Sequence, residues 1–172
     1  MRDALFGAVA TAAVSTLGDY LWANVLPHGR PVFWFAHAIV LFLTVGFCLG
    51  VPSRRPSAGA IGAASIGCLA TAGFWILQPI IGYSALFVLF VALWLALGLL
   101  TGRILQRSDD FGTVLVRSAL AAIGSGIGFY AISGIWMPFR PHGLDYVKHF
   151  AYWTIAYLPA FAALLVGRAR KV

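Results

Sequence analysis

Glutamate is absent from this 172-residue chain, lysine occurs twice, and charged residues make up only 10 % of the whole. A soluble surface draws about a quarter or more of its residues from Asp, Glu, Lys and Arg, so too little polar material is present here to cover a water-facing domain. The missing glutamates remove many designs for proton coupling, although five aspartates remain. Cysteine is nearly missing too. Cys48 and Cys68 both stand inside apolar stretches and read as small buried hydrophobes, which excludes a disulfide framework and a cysteine metal site. No nucleophile stands beside a base, no glycine-rich loop could cradle phosphate, and no paired carboxylates occur. The chain reads as a non-enzyme with no bound cofactor.

What is present is apolar length. The hydrophobic fraction is 61 % and the mean hydropathy is +0.90. A bilayer core of roughly 30 Å takes about 20 apolar residues in a helix, and stretches near that length recur as Ala4–Leu26, Trp34–Val51, Ala58–Leu77, Ser84–Leu105, Thr113–Gly134 and Phe150–Gly167. The expected fold is therefore all-α: one integral membrane domain, a bundle of six transmembrane helices with short connections. The first stretch is too long for the core of a secretory signal and is expected to be a retained helix.

The net charge of +7 would suggest nucleic acid in a soluble protein. Here the basic residues cluster at helix ends and act as topology signals. Arg2, Arg54, Arg55, Arg103, Arg107, Arg117, Arg168, Arg170 and Lys171 fall on the side of the two termini, against Arg30, Arg140 and Lys148 on the other. Such an excess places both termini in the cytoplasm. Trp22, Trp34, Trp75, Trp136 and Trp153 lie toward the outer ends, as an interfacial aromatic belt requires, with Trp94 alone in mid-span.

The stretches differ in texture. Gly59, Ala63 and Gly67 recur every four residues in the third, and Gly124 and Gly128 in the fifth, beside Ala121 and Ser125. Small residues at this spacing let helix backbones approach closely. The third and fifth helices are expected to pack closely together at the centre of the bundle, with the bulky, featureless fourth facing lipid.

Few residues could carry chemistry. Asp19 lies roughly 12 Å along its helix from the first outer loop, on one face with Thr11, Ser15, Gly18 and Trp22. A carboxylate within a membrane helix is costly and marks a functional site by default; the alternative is pairing with Arg30 or His37 near the interface. Gln78, just before Pro79, is a second polar candidate, because a residue ahead of proline is disfavoured in a helix and the backbone there is free to bind. His28, His37, His142 and His149 all lie toward the outer side and with Asp19 and Asp145 could hold metal or haem, but none pairs at a helical chelate spacing and solvated, headgroup-level histidines are the plainer reading. Trp22 followed by Pro27-His28-Gly29 recurs at an offset of 114 as Trp136 followed by Pro141-His142-Gly143, which suggests a structural repeat.

The layout resembles the insulin-induced gene (Insig) family of six-span membrane proteins. The likeness rests on the segment Leu105-Gln106-Arg107-Ser108-Asp109-Asp110-Phe111-Gly112, similar to the family's Asp-Arg-Ser connection before a glycine-rich fifth span. A last helix with Trp153, a mid-helix Pro159 and then Gly167-Arg168 matches as well. The family's aspartate before the arginine is replaced here by Leu105-Gln106, so the partner-docking role of that loop is not carried over. With ten Arg and two Lys the chain looks like a bacterial or archaeal relative, in the plasma membrane. The resemblance implies a lipid or sterol-like ligand in a cavity between helices, and hence a lipid sensor. The candidate ligand-binding residues are Thr11, Ser15, Asp19, Trp22 and Gln78. The expected partner is a membrane lipid, with no nucleic acid and no identifiable protein partner; a homo-oligomer is compatible with this. Two other readings stand beside it: a small proton-coupled transporter using Asp19, and a haem- or metal-binding redox protein using the outer histidines.

Topology can be measured directly. In a cysteine-free background, cysteines at positions 53 and 108 should resist impermeant thiol reagents added outside, while one at position 143 should react. The reverse pattern overturns the orientation.

Overall fold

The computed structural model describes residues 1–25, 31–82, 84–105, 110–131 and 141–166. Among these the chain forms six α-helices and no strand: α1 (Arg2–Asn24), α2 (Pro31–Gly50), α3 (Pro56–Ile81), α4 (Ser84–Leu99), α5 (Phe111–Ala131) and α6 (Asp145–Leu165). Five of them, α4 with its continuation to Leu105 included, are long and apolar enough to cross a membrane. α6 has the length, but Asp145, Lys148, His149 and its Tyr and Trp residues lower its hydropathy.

Local signals set the helix ends. A 3-10 turn over Val51–Ser53 and Arg54 in the left-handed region (φ 56°) reverse the chain between α2 and α3, and Pro56 opens α3 where no backbone donor is needed. Asp110 stands just ahead of α5, where its carboxylate accepts the Thr113 hydroxyl at 2.6 Å and the Thr113 amide at 2.9 Å. The same two bonds, hydroxyl first, hold the Asp110 carboxyl below the usual carboxylate range. α3 runs on through Pro79 to Ile81 instead of ending at Leu77; proline removes only one donor, and neighbouring groups in membrane helices absorb the loss. α6 begins at Asp145, five residues before the expected Phe150, and Asp145 accepts from the His142 amide and from Lys148. α4 ends in a π-helical segment, Leu100–Leu105, whose Ile104 carbonyl accepts from Arg55 at 3.2 Å.

Each helix packs on its sequence neighbours, and α1 closes the circuit on α6. The α2–α3 contact is the most extensive and α1–α2 the thinnest between sequence neighbours. Arg117 of α5 donates to the Ala163 and Val166 carbonyls at the end of α6, and Asn24 at the end of α1 donates to Tyr146 at the start of α6. α6 therefore runs antiparallel to both α1 and α5.

Two packing expectations are corrected. The third and fifth helices are not partners: α3 packs on α2 and α4, and α5 on α4 and α6. Gly59, Ala63 and Gly67 are buried as close-packing residues should be, but against α2. A Cβ on Gly46 would overlap the Gly59 carbonyl, one on Gly59 the Gly46 carbonyl, and one on Gly67 the Phe42 ring. Gly124 lies against Pro159 of α6. Nor is α4 mainly a lipid-facing helix: 44 % of its apolar stretch is buried, against 17 % for α3, although Val88 and Val91 are exposed on the perimeter. Uniformly bulky apolar residues suit a bundle interior and lipid equally, since lipid tails are as apolar as leucine.

Gly46→Leu or Gly59→Leu should lower stability in detergent by about 1–3 kcal/mol, since a side chain there forces two backbones apart. Gly126→Leu, where a Cβ meets nothing within 4 Å, should leave melting unchanged. Equal melting for all three variants would contradict the packing.

Candidate functional site

Polar side chains spaced four apart on two facing helices build the site. On α1 these are Ser15 and Asp19; on α6 they are His149, Trp153 and Tyr157. Residues at this spacing stack on one helix face, and α1 and α6 pack along it. Asp19 Oδ2 lies 2.9 Å from His149 Nδ1 and accepts from Trp153 Nε1 at 2.7 Å. One turn deeper, the Ser15 and Tyr157 hydroxyls are 3.0 Å apart. One turn shallower, Asn24 Nδ2 donates to Tyr146 at 2.6 Å. Three polar rungs thus join two otherwise apolar helices. Below them the contact becomes small and dry, with Ala4, Ala8 and Ala12 fully buried and the Phe161 ring lying where a Cβ on Gly7 would stand.

His149 is only 3 % exposed, and its Nε2 is buried without a hydrogen-bond partner. A buried ring N–H needs an acceptor, so the tautomer that fits carries its proton on Nδ1, facing the carboxylate. His37 of α2 comes in from the opposite side of α1. Its imidazole packs where a Cβ on Gly18 would stand, so glycine is what admits the ring.

Asp19 and His37 line two cavities at once. One is a groove of about 390 Å³ between α1 and α2, walled by Val14, Leu17, Trp22, Phe33, Trp34 and Val40 among others. Leu17 and Val40 are exposed on the bundle perimeter, so the groove opens sideways. Trp22 and Trp34 meet edge to face at 5.4 Å along it. The other is a chamber of about 180 Å³ at the bundle centre, lined by α1, α2, α4, α5 and α6. α3 contributes no residue to it.

Comparison with protein-family models, curated proteins and solved structures returned no match. What the site does must therefore be argued from its own geometry.

Of the five expected ligand-binding residues, the structure brings Asp19 together with Ser15 at the chamber and with Trp22 in the groove. Thr11 is fully buried one turn below Ser15, its hydroxyl without a partner, and lines neither cavity. Gln78 stands within α3, where its carbonyl accepts the Gly82 amide, and lines neither cavity. The histidine reading is corrected. His142 is exposed, but His149 is buried in the interface, and it is His149 with Trp153 that bonds Asp19. Arg30, His28 and Trp136 lie outside the described residues, and with them the expected repeat. Among the described residues no three His, Cys, Asp or Glu side chains form a metal site. Sequence reasoning passed over His149, Trp153 and Tyr157 as a set, although their four-residue spacing matches that of Ser15 and Asp19.

Asp19→Ala strands two donors in the α1–α6 interface and should cost about 1–3 kcal/mol in detergent unfolding. Asp19→Asn keeps an acceptor oxygen and should cost less. If alanine is as stable as wild type, the carboxylate does not hold these helices together.

Proposed function

We propose that this protein binds one amphipathic lipid, its apolar chain in the α1–α2 groove and its polar end at Asp19 and His37. The observation that carries this reading is the sharing of these two side chains by groove and chamber. An apolar trough opening on the perimeter, with a half-buried polar pair at its inner wall, has the form of a site for a molecule with a tail and a head. Burying a methylene from water contributes about 0.8 kcal/mol, but a lipid leaves a bilayer, not water, and its tail gains far less. Selectivity therefore belongs to Asp19, His37 and Ser15. The six-span arrangement with cytoplasmic termini, an Insig-like membership and a lipid-sensing role belong to the same proposal. In this topology the groove lies in the outer half of the membrane.

Among the described residues, Arg2, Arg54, Arg55, Arg103 and Arg117 stand at or near one end of the bundle and Lys148 at the other, which supports the orientation.

Purification in mild detergent followed by native mass spectrometry should show a lipid retained in a fixed ratio to protein, with a headgroup profile unlike that of the host membrane. Asp19→Asn should shift that profile, and Gln78→Ala should not. A profile that mirrors the host membrane and ignores the Asp19 substitution would overturn the proposal.

A further inference from the structure

The central chamber has a chemistry of its own. Its wall includes six aromatic rings, Phe42, Phe90, Trp94, Phe129, Trp153 and Tyr157, together with Asp19 and the imidazole of His37. Five of the rings, all but Phe42, form one continuous run. Phe129 stacks on Phe90 at 4.9 Å and on Trp153 at 5.8 Å, and Trp153 stacks on Tyr157 at 5.7 Å. Trp94 stands edge-on to Phe90 at 6.2 Å. Asp19 spends Oδ2 on His149 and Trp153, while Oδ1 takes no hydrogen bond from the described residues. Trp94 is 1 % exposed and its indole N–H is buried without a partner.

We propose that this chamber receives a quaternary ammonium group, the trimethylammonium of a choline-type molecule. Aromatic faces attract a cation through the ring quadrupole, most strongly where water is excluded, and the Asp19 carboxylate supplies the negative charge. The alternatives fit the wall less well. A primary ammonium carries three N–H donors that each need an acceptor, and the α4 and α5 walls, Phe90, Leu93, Trp94 and Phe129, offer none. A hard metal ion takes about six or more oxygen ligands, far more than one carboxylate and two hydroxyls provide. An anion meets Asp19. A neutral hydrocarbon leaves Asp19 Oδ1 unanswered. A quaternary nitrogen has no N–H to satisfy. The volume of about 180 Å³ leaves room for more than a single water.

This deepens the lipid reading by naming the headgroup class, and rests on that reading only for the source, which is either a lipid headgroup or a free solute. The test is a tryptophan-fluorescence titration of the full chain in lipid-stripped detergent micelles at about pH 8, where an ordinary imidazole is neutral. Tetramethylammonium and choline should each give a saturable change. The uncharged carbon analogue of choline, 3,3-dimethylbutan-1-ol, should bind about tenfold more weakly or worse. Asp19→Asn should weaken choline binding by about tenfold. Phe129→Leu, which keeps the carboxylate, should weaken it by several-fold, so the proposal stays testable if the Asp19 variant fails to fold. Competition by lysophosphatidylcholine but not lysophosphatidylglycerol assigns the cation to a lipid; choline binding that neither displaces assigns it to a free solute. Equal binding of the uncharged analogue, or no saturable response to either cation, overturns the proposal. The two readings fail separately: a retained lipid without cation binding removes only the headgroup class, and cation binding without a retained lipid removes only the lipid.

Discussion

One carboxylate organises this bundle. Placing Asp19 within an apolar helix is expensive unless donors meet it, and His149 and Trp153 supply them from α6 at 2.9 and 2.7 Å. The requirement fixes more than one contact. It sets the register of α1 against α6, which in turn pairs Ser15 with Tyr157 and Asn24 with Tyr146. It also turns Trp153 and Tyr157 toward the chamber that Phe90, Trp94 and Phe129 complete. In a bilayer no hydrophobic drive brings helices together, so a hydrogen-bonded seam of this kind decides which helices become neighbours. Glycine does the same elsewhere, where Gly46 and Gly59 put α2 and α3 backbones in contact.

Having satisfied Oδ2, the protein leaves Oδ1 and the His37 side of the site without a complete polar shell. The α1–α2 seam is thin at this level, and Gly18 lets the His37 ring lie directly against α1. A groove, a chamber and a carboxylate between them follow from one tight interface, α1 on α6, beside one loose interface, α1 on α2. Rigid scaffold and accessible site are two sides of the same helix.

Much of the fold was legible in the sequence, because length and hydropathy report directly on helices that fit a bilayer. Asp19, Ser15 and Trp22 were legible as a face of α1, since a 3.6-residue period needs no partner to be seen. The partner was not. Hydropathy placed the start of the last span at Phe150, which left Tyr146 and His149 outside it. The helix instead starts at Asp145, where the carboxylate takes the His142 amide and Lys148. Gly59, Ala63 and Gly67 announced close packing but not against what, because the spacing identifies one surface and never its complement. α4 went unread because an evenly apolar helix has no face to read.

The account depends on Trp153 donating to Asp19. Indole ¹⁵N–¹H spectra of tryptophan-labelled protein in micelles test this most directly, with the Trp153 resonance assigned by Trp153→Phe. A hydrogen bond to a carboxylate at 2.7 Å should place that indole proton downfield of those without such a partner, and Asp19→Ala should return it upfield. A Trp153 resonance that is unshifted in the wild type and unmoved by Asp19→Ala would contradict the arrangement on which groove, chamber and the proposed ligand site all rest.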